Sequence, residues 1–252
     1  MGEKGTDASL WITWYDLPPG GDPAYLAWLH GSYLPRLLAQ PGVLHASHYA
    51  ATRAAASNPR TTGDAGVPAG KDYVLIVGAE SAHVFARSAR QYARGDADQH
   101  CFESFLDATD REMLALRLGT RVCITAEVAR VDGPEAGRRE AGTLAPCIQL
   151  GSLNAASAEA EEEMLAWYAE WRMPAFAGMP GCIGLRKMVS VSGWAKHVVL
   201  YEFADLASRN QYPSRLKAMS PEFATWDARA TASLVHAPGS PMVAERLWPA
   251  VG

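Results

Sequence analysis

The segment LHASHYA, residues 44–50, gathers two histidines and a tyrosine, and imidazole is the side chain best suited to moving protons near neutral pH. His45 and His48 are three residues apart, so on a strand they face opposite sides. His45, Ser47 and Tyr49 share one face, read here as the interior of the fold. His48 shares the other with Leu44 and Ala46 and is read as facing helices. A later segment, GLRKM (184–188), places Arg186 where Ser47 stands in the first. An interior Arg beside a Tyr can grip a carboxylate or an enolate oxygen through two parallel N–H groups. A solvated Arg at the rim of a sheet fits the same sequence. Removing a proton beside a carbonyl needs a base and a donor for the developing oxyanion. His45 as base, with Tyr49, Arg186 or Arg172 as donor, would meet that need without a cofactor. The chain has no GxGxxG after a strand, no P-loop, no HExxH and no GxSxG. Haem stays open on motifs alone, since any lone histidine can supply one axial ligand. A weaker pair, His100 with Glu103, lies in DADQHCFESF and would suit a helical His/carboxylate contact.

The elements that must position these groups occur twice. AWLHGSYLPRLLAQPGVLHASHYAA begins at Ala27 and AWYAEWRMPAFAGMPGCIGLRKMVS at Ala166. Without a gap, Trp28 falls on Trp167, Pro35 on Pro174, Pro41 on Pro180 and Gly42 on Gly181. KDYVLIVGAESA, from Lys71, then meets AKHVVLYEFADLA, from Ala195. Only two long copies are present, which means duplication rather than a solenoid. The first copy reads as strands at 9–16, 43–51, 72–79 and about 120–129, with one helix from 23 ending before Pro41-Gly42 and another near 80–117. Asp22 and Pro23 suit the start of the first helix, and Pro35 should kink its last turns. The second copy reads as strands near 146–153, 182–191, 196–203 and 230–237, with helices near 157–177 and 205–228. The order β-α-β-β-α-β is the ferredoxin-like arrangement, so the fold class is α+β. Residues 1–132 and 146–252 form the two repeats, joined by a polar, Gly-containing linker over 133–145. Each sheet leaves one face bare of helices. Trp11, Tyr15, Tyr49, Tyr73 and Tyr201 favour burying that face, with the two sheets closing an eight-stranded barrel able to hold one small ligand. Trp11 and Tyr15 are therefore candidate ligand contacts beside Tyr49.

Composition removes several classes. The net charge is −4, with 23 basic residues scattered among 27 acidic ones, so no basic face offers itself to nucleic acid. No apolar run reaches the length of a membrane span, and the N-terminal residues carry no secretion signal, which together point to the cytoplasm. The four cysteines form no CxxC pair and no zinc spacing, so reduced, buried thiols are expected and no metal site.

A helix with Trp-x4-His-x-Pro, then Pro-Gly, then a strand with aromatic and basic residues resembles the dimeric α+β barrel superfamily, in particular its EthD-like branch. The resemblance implies that the tandem copies make within one chain the sheet pair that two subunits make elsewhere. It also implies a small-molecule ligand and cofactor-free acid/base chemistry on an apolar or aromatic carbonyl compound, of isomerase, cyclase, lyase or monooxygenase type. Members that only bind ligands, and members that bind haem, are the alternatives; a homodimer through outer edges stays open. The family's helix histidine falls on Tyr33 and on Arg172, so the usual acid/base position has lost its imidazole in both copies. His30, one turn before Tyr33, is placed to compensate. On this resemblance the catalytic candidates are His45, His30 and Tyr33, and the ligand contacts Tyr49, Arg172, Arg186, Tyr15 and Trp11.

Overall fold

A computed structural model describes residues 7–20, 22–52, 60–86 and 101–251. The strands among them are β1 Ser9–Asp16, β2 Val43–Ala51, β3 Tyr73–Ala79, β4 Leu118–Asp132, β5 Cys147–Ala155, β6 Cys182–Ser192, β7 His197–Phe203, β8 Leu234–His236 and β9 Met242–Trp248. Their ladders are antiparallel and run β7-β6-β4-β1-β3-β2-β9-β5, and β5 returns to pair with β7. Eight strands thus close a barrel, with the short β8 attached to β5 beside β9. Helices lie outside it. The fold is a mixed α and β structure around a closed antiparallel barrel.

Strand alternation decides which side chains enter the barrel. Leu10, Ile12 and Trp14 of β1 point inward and meet Tyr49, Val74, Ile76, Cys123, Ile148, Leu150, Met188, Val198 and Leu200. Trp11 and Tyr15, offset by one, point outward into a second core with Tyr25, Leu29, Tyr33 and Phe85. A third core packs Trp167, Tyr168, Phe176, Tyr201, Tyr212 and Phe223 on the outside of the other half. The barrel centre is filled with apolar side chains, each contributing about 1.5–3 kcal/mol of burial. This corrects the expectation of a ligand in the middle of the barrel. It also corrects Trp11, Tyr15 and Tyr201, which back onto helices, whereas Tyr49 turns inward.

The repeated segment folds the same way twice. Helix Asp22–Trp28 passes through a π-helical turn, Leu29–Tyr33, into helix Leu34–Leu38; helix Ala158–Trp167 passes through Tyr168–Arg172 into Met173–Ala177. Pro35 and Pro174 sit in the first turn of the short second helices. Proline lacks an N–H, and a wide turn just before it absorbs the missing bond. The expected kink therefore takes the form of a π turn. Gly42 and Gly181 follow with φ of 81° and 83°, a left-handed conformation that favours glycine at the entry to β2 and β6.

Other boundaries moved. The expected strand 230–237 is short, because helix Pro221–Ala232 extends into it and leaves only Leu234–His236. The strand β9 was unexpected, although MVAERLW alternates enough to suggest one. It inserts between β2 and β5 and completes the ring. The expected helix 80–117 is represented by single 3-10 turns at Ala82–Phe85 and Cys101–Glu103 and by helix Ala108–Leu114, with 87–100 outside the described residues. Of the cysteines, Cys123, Cys147 and Cys182 are buried and free.

Candidate functional site

Two clusters of polar groups border cavities. The first lies outside the barrel, between β1, β3 and β4 and the segment 102–117. Its cavity of about 190 Å3 is walled by Trp11, Leu75, Val77, Phe102, Leu114 and Val122. Tyr33, Glu103, Arg117 and Thr13 are the principal polar groups on it. Tyr33 donates its hydroxyl to Glu103 Oε1 at 3.0 Å. Burial raises the Glu103 carboxyl above its ordinary range, opposed by that hydrogen bond and by the charge of Arg117. Arg117 donates from Nε to the Tyr25 hydroxyl at 2.6 Å and lies over the Tyr15 ring at 4.5 Å, while its buried Nη2 has no acceptor among the described residues. An apolar cavity holding a carboxyl of raised pKa, a phenol and a guanidinium is equipped for proton transfer beside a developing negative charge.

Behind this cavity runs a buried chain. Tyr15 Oη lies 2.8 Å from His48 Nε2, and His48 Nδ1 lies 2.9 Å from His30 Nε2. His30 also stacks on Trp248. Burial lowers both histidines, His48 the further because it is fully buried, with positive charge from His30 and Arg117 adding to the effect. The π turn separates His30 from Tyr33: the first reaches His48, the second reaches Glu103. His30 therefore does not sit beside Tyr33 as a substitute base.

The second cluster closes one end of the barrel. His45 faces inward and its Nε2 meets Asp7 Oδ2 at 2.8 Å. Arg186 Nη1 meets the same oxygen at 2.7 Å, and Arg130 Nη2 meets Oδ1 at 2.9 Å. Glu127 accepts from Arg186 Nε at 2.5 Å and from Arg130. Burial would raise Asp7, but the His45 hydrogen bond and the Arg186 charge hold it far below the usual carboxylate range. A cavity of about 250 Å3 opens here under the linker, lined by Leu44, Arg139, Glu140, Thr143 and Leu144 besides these groups. Arg186 is 1% exposed, so the solvated-rim reading of it is incorrect. Tyr49, inward as expected, donates to the carbonyl of Ala145 at 2.9 Å and so clamps the linker.

The two halves fill this end by complementary sizes. A Cβ on Gly78 would lie 2.0 Å from His45 Nε2, so the imidazole rests against bare backbone. In the second half Gly184 stands for His45 and Glu202 for Gly78, and Arg139 reaches over Gly184 to Glu202 at 3.1 Å.

Arg172 joins neither cluster. It bonds Tyr201 Oη and Asp227 at 3.1 Å each and packs against the rings of Trp167 and Tyr212. The sequence-predicted residues thus divide: Tyr33 and Trp11 reach the outer cavity, Tyr15 and His30 stand behind it, His45, Arg186 and Tyr49 meet at the barrel end, and Arg172 serves the second core. Glu103 had been noted only as a partner for His100, which lies outside the described residues. Arg117, Asp7 and Glu127 were not anticipated, because nothing local marks them.

No family model and no curated protein matches the chain. Solved structures do. A monooxygenase-like protein from Fusobacterium nucleatum is similar at a TM-score of 0.57 and 9% identity, covering 96% of this chain and 93% of the other. An anthrone oxidase-like protein gives 0.56 and 9%, covering 96% and 92%. A chlorite dismutase-like protein gives 0.52 and 14%, covering 96% and 94%. The fold is the α+β barrel. At these identities the likeness speaks to fold alone. No helix among the described residues is long and apolar enough to cross a membrane.

The cavity that His45 borders, at about 250 Å3, is smaller than an ordinary ligand pocket and does not fit a haem. Among the described histidines only the exposed His83 lacks a side-chain partner; His30, His45, His48, His197 and His236 are held by His48, Asp7, Tyr15, Glu161 and Ser240. The outside of the second half is packed with aromatic rings rather than open.

Proposed function

We propose that this α+β barrel is a small-molecule enzyme whose acid/base site is the cavity outside β1, β3 and β4, with Glu103 as the proton-transferring group. The observation that carries this reading is the Glu103 carboxyl, raised by burial and bonded to Tyr33, on the wall of an apolar cavity of about 190 Å3. An ionised Glu103 would take a proton from carbon next to a carbonyl, and Arg117 would hold the oxyanion that forms. Trp11, Phe102 and Val122 would pack against an apolar or aromatic body. His45 and Arg186, in this reading, secure the barrel end.

The two halves are further proposed to be tandem ferredoxin-like copies within one chain, on the EthD-like plan. In support, the ladders run β4-β1-β3-β2 in the first half and β8-β5-β7-β6 in the second, the same order of first to fourth strands. The duplicated π turns add to this.

The catalytic reading is tested by hydrogen exchange, which needs no knowledge of the product. Small aryl ketones and phenolic carbonyl compounds are incubated with the protein in D2O, and deuterium entry beside the carbonyl is followed by NMR. Exchange should be catalysed by the wild type and lost in Glu103→Gln. Binding of such compounds without exchange would favour the ligand-binding alternative. Equal exchange in wild type and Glu103→Gln would remove Glu103 from the chemistry.

A further inference from the structure

The barrel contains a buried charge that no described carboxylate neutralises. Arg121 lies on the inward face of β4, at the end of the barrel away from Asp7, opposite Trp14 in the ladder. It is 3% exposed. Its guanidinium stacks on the Trp14 ring at 3.9 Å, and Nη1 donates to Ser152 Oγ at 2.7 Å. Nε and Nη2 are buried and have no nitrogen or oxygen acceptor among the described residues; the Cys123 thiol is the one side chain beside the guanidinium that offsets its burial. No described carboxylate forms an ion pair with it. The other buried arginines behave otherwise: Arg186 meets Asp7 and Glu127, and Arg246 meets Glu140.

A charged group in an apolar interior without a counter-charge is strongly disfavoured, and water solvates such a charge without cancelling it. Burial pushes the Arg121 guanidinium down, but only to about 10, so it carries its proton at neutral pH. The two free nitrogens form one edge of the guanidinium, with parallel N–H donors, which is the edge that grips anions. Hydroxyl groups lie beside the guanidinium, at Nη1. Ser152, which accepts from Nη1, has its own proton to give, and its backbone N–H donates to Ser240 Oγ at 2.8 Å.

We propose that Arg121 holds a small inorganic anion of halide size, enclosed at this end of the barrel between Trp14, Ser152 and the guanidinium edge. The free nitrogens have no solvent access, so the guest must be small enough to be closed in with them. Its role is to complete the charge balance of a barrel whose opposite end is balanced by Asp7 and Glu127. The site is separate from the Glu103 cavity and does not depend on it.

Bromide serves as the probe, because it substitutes for chloride and scatters anomalously. Crystals grown in sodium bromide should show an anomalous peak within hydrogen-bonding distance of Arg121 Nε and Nη2. In solution, replacing methanesulfonate by chloride at constant ionic strength should raise the melting temperature saturably, by ~3 °C or more once the site fills. Arg121→Met should lose that dependence, and Ser152→Ala should raise the chloride concentration needed. If Arg121→Met does not fold, the wild-type crystal and the salt titration still decide. Water alone at the guanidinium edge, or an Arg121 swung onto a carboxylate, would overturn the proposal, as would a melting temperature indifferent to halide.

Discussion

Asp7 offers a quantitative test of how the barrel end is held. Its carboxylate is 16% exposed and accepts from His45, Arg130 and Arg186 at 2.8, 2.9 and 2.7 Å. Each charge-assisted hydrogen bond contributes about 1.5–3 kcal/mol, and removing one partner of a buried pair costs about 3–5 kcal/mol. In Asp7→Ala both arginines keep Glu127, so the lower end applies, about 3 kcal/mol. For a chain of this length that lowers Tm by roughly 6–12 °C, at 2–4 °C per kcal/mol. Urea unfolding followed by circular dichroism gives the free energy, and a cycle with Arg186→Met gives the coupling, expected at about 1 kcal/mol or more because the two side chains share an ion pair. Acid adds a second reading. The folded carboxylate titrates below its unfolded value of 3.8, so its contribution is present above that pH and lost as pH falls below it. Asp7→Asn should flatten stability in that range. A loss under about 0.5 kcal/mol in Asp7→Ala, with additive energies in the cycle, would show that the cluster is an ordinary surface pair.

Further outcomes follow from the same geometry. Gly78→Ala places a methyl group against His45 Nε2 and should destabilise by about 1–3 kcal/mol, with loss of the acid dependence that Asp7 contributes, readable in the same urea titrations. Glu103 is raised above its ordinary 4.5. Its stability contribution is therefore present below that pH and falls as pH rises through the folded value, whereas exchange activity should rise over the same interval. Glu103→Gln should remove both trends, by melting curves and by NMR exchange. His48 is lowered from 6.5, so stability should fall as pH drops below that value. His48→Phe, which removes the hydrogen-bond partner of the buried Tyr15 hydroxyl, should cost about 1–3 kcal/mol at pH 7 while weakening this acid dependence.

The sequence by itself determined what depends on near neighbours along the chain. Trp28 and Trp167, Pro35 and Pro174, and the Pro-Gly pairs 41–42 and 180–181 recur at fixed spacing, and each repeat imposes one local path, because a proline without an N–H and a glycine at positive φ act on their own residues. The period-two alternation likewise set His45, Ser47 and Tyr49 on one face and His48 on the other. Which face was interior to what had to come from packing. Trp11 and Tyr15 were misplaced because alternation gives two sides of a strand but does not say which is covered by helices. Tertiary structure alone brought Glu103 to Tyr33 across 70 positions, and Arg186 to Asp7 across 179. Burial and charge at such contacts are set by partners far away in sequence, and a single carboxylate or guanidinium carries no local mark of the partner it will meet. For the same reason Arg121 reads as an ordinary strand arginine until the barrel closes around it.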